Sequence, residues 1–128
     1  MREATITLAG TELTLCANFR ASVELAKTVA DPLLIMQETA LKATLNERGL
    51  PYTPKFEFTI QNITEIVYIG AKAGGSKLDL EAIQDLCFDA GFIAAQIAAV
   101  DYLTMLVGPT TEEELPKGDG GKKNEAAG

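Results

Sequence analysis

Three carboxylates recur four residues apart: Glu81, Asp85 and Asp89. That spacing places them on one helix face, where a hard cation such as Mg²⁺ could bind if a second helix supplied more oxygens. The sequence offers no second acidic cluster to complete such a site. A solvated helix face is the favoured assignment, since like charges at this spacing cost little in water. Cys87 stands among the same residues, on the predicted dry side of the helix. Apolar, acidic surroundings raise a thiol pKa rather than activate it. The chain contains no His, so a Cys–His pair, a Ser–His triad and His metal ligation are all excluded. The run from Gly70 to Gly75, followed by Ser76 and Lys77, fails the spacing of a phosphate loop and follows a helix, not a strand. No catalytic set, cofactor or metal is therefore expected.

The same restraint applies to nucleic acids. The chain has 128 residues, 11 of them basic and 18 acidic, for a formal charge of −7. Phosphate-backbone affinity comes mainly from Lys and Arg. The stretch around Gly91 has the rhythm of a helix-turn-helix, but its second helix carries no cation to contact DNA. Cys16 and Cys87 fit no metal spacing. Met1 to Gly10 lacks the apolar core of a signal peptide. We expect reduced, buried cysteines and a cytoplasmic, non-secreted protein.

The elements that position these residues follow from periodicity. Alternation over residues 5–9 and 12–17, broken at Gly10-Thr11, predicts a β-hairpin. Asn18 is placed to cap a helix over 19–30, with Phe19, Val23, Ala26 and Ala30 as its apolar stripe. Asp31-Pro32 starts a second helix, with Leu34, Leu41 and Leu45 as a stripe widened by Met36 and Ala40. Glu38 and Lys42 are spaced as an i,i+4 pair, and Gly49 is placed to end this helix. Phe56, Phe58 and Ile60 alternate, which suggests a short third strand. An amphipathic helix then carries Ile60, Ile63, Val67 and Gly70 on one apolar face and ends at Gly74-Gly75. Asp79 caps a fourth helix, and Gly91 divides it from a fifth.

That fifth helix, residues 92–107, is apolar at 13 of 16 positions. Gln96, Asp101 and Thr104 fall within a sector of about 140° on a helical wheel. The remaining apolar arc is wider than one core contact needs. Either the helix crosses the core or one side meets another chain. The Ala-rich side (Ala94, Ala95, Ala98, Ala99) permits close helix approach. At 16 residues with an internal Asp it is short for a membrane span. The interface candidates are Phe92, Ile93, Ile97, Val100, Leu103 and Leu106. Residues 109–128 are polar, Gly-rich and charged, and are expected to form a disordered tail. The fold class is thus α+β: a mainly helical single domain, 1–108, with an N-terminal β-hairpin on four or five helices.

This order of elements resembles a known family. A hairpin and small helix precede a helix that ends at Gly70, Lys72, Ala73, Gly74 and Gly75. A capped acidic helix then begins at Leu78 to Glu81, and an Ala-rich helix and loose tail close the chain. The pattern, over roughly residues 5–108, is similar to the small tail assembly chaperones of long-tailed phages and gene transfer agents. The stretch from Ile63 to Gly75 joined to Leu78–Ile83 carries most of the likeness. The resemblance implies a non-enzymatic helper that binds the tape measure protein, helps to recruit tail tube subunits and is absent from the finished particle. Homo-oligomer formation is a further expectation. The alternative is a structural virion component: a tail tube, terminator or connector protein.

Overall fold

The computed structural model describes residues 2–108. The tail expected over 109–128 lies outside the described residues. Two antiparallel strands open the chain, β1 (Arg2–Leu8) and β2 (Thr11–Ala17), paired from Arg2 opposite Ala17 to Leu8 opposite Thr11. The turn is Ala9-Gly10, both at positive φ (51° and 81°). That geometry matches the twist of a two-residue hairpin. It falls one residue earlier than the alternation suggested, and Thr11 belongs to β2. Leu8, Leu13, Leu15 and Ala17 are buried, while Thr5 and Thr7 face solvent.

Five helices follow among the described residues: α1 (Phe19–Thr28), α2 (Pro32–Glu47), α3 (Ile60–Ala73), α4 (Leu80–Ala90) and α5 (Phe92–Val107). The expected α+β, mainly helical architecture is what the structure has. Four of these helices begin at side-chain caps. Asn18, Asp31 and Asp79 accept from the backbone N–H of Ala21, Leu33 and Ala82 at 2.8, 2.8 and 2.9 Å. Thr59 and Asn62 bond reciprocally at the start of α3, at 2.8 and 3.1 Å. Each such cap contributes about 1 kcal/mol by satisfying an otherwise orphaned donor.

Three expectations about packing are corrected. In α1 the buried residues are Ala21 and Leu25, whereas Phe19, Val23 and Ala26 lie on the exposed side. In α2 the buried positions are Pro32, Ile35 and Glu38, and Leu41 is exposed. Residues 56–60 add no strand, since the sheet has two strands. Phe56 and Phe58 instead pack edge to face, 5.3 Å between ring centroids, against the core. The sequence supplied an alternating pattern there, but the described residues place no third strand in the sheet.

Helix α3 is the centre of the molecule. It packs against β2, α1, α4 and α5. Its buried face differs from the expected stripe: it adds Thr64, Ile66, Ile69 and Ala71 to Ile63, Val67 and Gly70, while Ile60, on the first turn, is exposed. The Thr64 hydroxyl is satisfied by donating to the Gln61 carbonyl at 2.8 Å. Two glycines allow the neighbours to close in. A Cβ on Gly74 would lie 2.0 Å from the Thr14 carbonyl oxygen of β2, and one on Gly70 would lie 3.1 Å from the Tyr102 ring of α5. The Tyr102 hydroxyl, fully buried, donates to the Cys16 carbonyl at 2.7 Å and so ties α5 to β2. The Arg2 guanidinium donates to the carbonyls of Met105 and Gly108 at the α5 C-terminus, where a cation also complements the helix dipole.

Gly74→Ala should destabilise the fold by about 2–3 kcal/mol, because backbone atoms cannot yield as a side chain would. Gly75→Ala meets no neighbour and is strained only by its φ of 94°. Urea unfolding of both variants checks the contrast: similar losses would show that the Gly74 approach is not the constraint.

Candidate functional site

The residues singled out for chemistry do not assemble a reaction centre. Glu81, Asp85 and Asp89 are all exposed along α4, as expected for a solvated face. Among the described residues no group of three or more His, Cys, Asp or Glu side chains is placed to hold a metal ion. Cys16 and Cys87 are both free and buried. Burial pushes the Cys87 thiol up to about 11, which suppresses the thiolate needed for nucleophilic attack. Burial also raises the Tyr102 hydroxyl, helped by Cys16 and Glu24, so this phenol stays a neutral hydrogen-bond donor.

A carboxylate held in an unusual setting is Glu38 on α2. Its carboxylate accepts from the Lys55 backbone N–H at 2.8 Å and from the Tyr52 hydroxyl at 2.7 Å. Those bonds, the backbone one first, lower the Glu38 pKa, and the bond to Glu38 raises that of Tyr52. The expected Glu38–Lys42 pair is absent. Lys42 instead meets Glu57 at 3.3 Å across the surface. Glu38 is a strut that fastens the connection after α2, and a carboxylate so engaged is a poor general base. Sequence reasoning assigned it to a local helix pair because Tyr52 and Lys55 reach it only through the fold.

Helix α5 is both a core helix and an exposed one, on opposite faces. Ala95, Ala98, Ala99, Tyr102 and Leu103 are buried. Of the Ala-rich side, Ala95, Ala98 and Ala99 face inward and Ala94 is exposed. The outward ridge contains Ile93, Ile97 and Thr104, flanked by Asp101. Polar and apolar residues therefore share the wet face instead of dividing the helix between them.

Of the six interface candidates, two are placed in the open. Ile93 is 75% exposed and Ile97 is 59% exposed. Phe92 and Leu106 are half-buried and packed on the core. Val100 is half-buried and lines a groove with Gln96, Phe56 and Phe58. Leu103 is fully buried and belongs to the core, so it is removed from the surface set. Truncating it would create a cavity in the core.

Sequence reasoning missed Phe88, which is 71% exposed and whose ring meets Phe92 edge to face at 6.1 Å. With Ile60, Thr64 and Asp85 these rings line a groove of about 430 Å³ between α3 and α4. The signal was present: Phe88 follows Asp85 by three residues, which places it about 60° from Asp85 on the wheel, beside the acidic ladder. A second apolar groove, about 420 Å³, lies between α1, the start of α2 and the end of α5, where Phe19, Val23 and Leu33 are exposed. No single helix among the described residues is long and apolar enough to cross a membrane, and α4 and α5 are bent by 118° at Gly91.

Leu103→Ala should cost about 2–5 kcal/mol of folding stability, whereas Ile97→Ser should change it by no more than about 0.5 kcal/mol. Thermal and urea unfolding measure both. Equal losses would place Ile97 in the core. Glu38 gives a pH signature. Its folded pKa lies below its ordinary value of 4.5, so the stabilisation is present above that value and lost as pH falls through the lowered one. The unfolding midpoint of Glu38→Gln should therefore fall less steeply with acid than that of the parent chain; parallel curves would contradict the strut.

No protein-family model, no curated protein and no solved structure matches the chain.

Proposed function

We propose that the chain is a non-enzymatic assembly chaperone for a phage-type tail. It binds the tape measure protein and helps to recruit tail tube subunits, inside the bacterial cell and before the tube polymerises. The observation that carries this reading is the pair Ile93 and Ile97, exposed one turn apart on α5 of a strongly acidic domain. Large aliphatic side chains left in water on neighbouring turns mark a surface that another chain covers. The order of hairpin, capped acidic helix and Ala-rich helix supports the family chosen.

The mechanism is cover and release. An apolar helix of the client lies along the α5 ridge and hides its own apolar face from other copies. Acidic residues around the ridge keep the chaperone dispersed and discourage nucleic-acid binding. No bond is made or broken, and no cofactor is needed. Release follows when tube subunits bury the same client surface more extensively.

A tagged full-length chain, captured from particle-producing cells and compared with purified particles by mass spectrometry, tests this. The expected result is a long tape-measure-like chain in the capture and none of the tagged protein in particles. Stoichiometric presence in particles would overturn the chaperone reading in favour of a tube, terminator or connector component.

A further inference from the structure

The α4–α5 corner combines two properties that together specify what can cover it. The first is apolar exposure: Ile60, Phe88 and Phe92 line the groove, the Phe88 ring meets that of Phe92 at the start of α5, and the exposed Ile93 and Ile97 continue along that helix. The second is charge of a single sign. From Leu80 to Val107 the chain has no Lys or Arg, while Glu81, Asp85, Asp89 and Asp101 are all exposed. Asp85 lines the groove itself and is its only charged lining residue. Asp101 follows Ile97 by one turn, and Asp89 precedes Ile93 by four residues across the Gly91 bend.

We infer that this corner is a docking surface for a cationic amphipathic helix of a partner protein, apolar residues seated on Ile93, Ile97 and Phe88 and Lys or Arg residues against Asp85, Asp89 and Asp101. The inference deepens the assembly-chaperone reading and rests on it only for the partner being a protein. A helix presents apolar side chains at i, i+3, i+4 and i+7 with flanking positions free for charge, which fits an apolar ridge with acidic flanks. A second copy fits poorly. A symmetric contact would set the acidic flanks of two chains of net charge −7 against each other.

The test uses the full chain and a synthetic helix of about 18 residues, five turns long, with Leu on one face and Lys on the other. A second peptide carries Glu for Lys, and a third scrambles the Leu/Lys sequence. Fluorescence anisotropy should show the Leu/Lys helix binding at least about tenfold more tightly than either control. Its affinity should fall as salt rises. Ile93→Ser combined with Ile97→Ser should weaken binding at least about tenfold with an unchanged melting temperature. Asn at Asp85, Asp89 and Asp101 should weaken it and flatten the salt dependence. Leu33→Ser, in the other groove, should leave it unaltered. Equal binding of the Leu/Glu or scrambled peptide overturns the inference. So does equal binding by the serine double variant, loss at Leu33→Ser, or a wild-type dimer that the double variant abolishes in analytical ultracentrifugation. Failure here leaves capture of the tape-measure-like chain to stand by itself, and failure of that capture leaves peptide binding to stand.

Discussion

The buried helix α3 has neighbours on most of its circumference, and two of them come closer than a side chain would allow. The Thr14 carbonyl of β2 occupies the space that a Cβ on Gly74 would need, and the Tyr102 ring lies against Gly70. Close approach there lets the hairpin and α5 cover the same helix from different sides. Tyr102 then joins those two coverings through its bond to the Cys16 carbonyl. In the dense interior a displacement at either glycine is transmitted to every element packed on α3. The hairpin, which would be marginal alone, gains its missing layer in this way.

The orientation of α5 follows from that arrangement. Its alanines are buried and Tyr102 lies against α3, and the helix is reached from α4 through Gly91 at φ 95°, a conformation that glycine adopts without strain. The bend of 118° turns the chain away from the direction of α4. Once the small side chains face inward, Ile93 and Ile97 must face outward, because they lie opposite on the helix. The exposed apolar ridge is thus a consequence of how α5 packs. Its acidic flanks, drawn from both helices, give it a chemical sign as well as a shape.

The segment between α2 and α3 is held differently. It has no regular structure, so its backbone groups need other partners. Glu38 supplies an anchor by accepting from Tyr52 and from the Lys55 N–H. Phe56 and Phe58 add an apolar contact next to it. One carboxylate on α2 therefore positions residues that border the groove beside Gln96 and Val100.

Much of the fold was legible because its signals are local. Asn18, Asp31 and Asp79 cap helices through bonds to residues two or three positions onward, and the alternation of β1 and β2 needs only its own sequence. The bounds of α5 and the break at Gly91 follow from composition and one glycine. The solvated ladder of Glu81, Asp85 and Asp89 is equally local, being one face of one helix. Other features required the assembled molecule. Phe19 and Val23 mark an apolar stripe on α1, yet Ala21 and Leu25 are buried, because the side that meets α3 is set by where the hairpin leaves the chain. Glu38 has a partner four residues away in sequence and takes others 14 and 17 residues away in space. Leu103 and Ile97 are equally apolar in the sequence. Packing in the core buries the first and leaves the second in water, since periodicity shows how many apolar faces a helix has and only its neighbours decide which are covered.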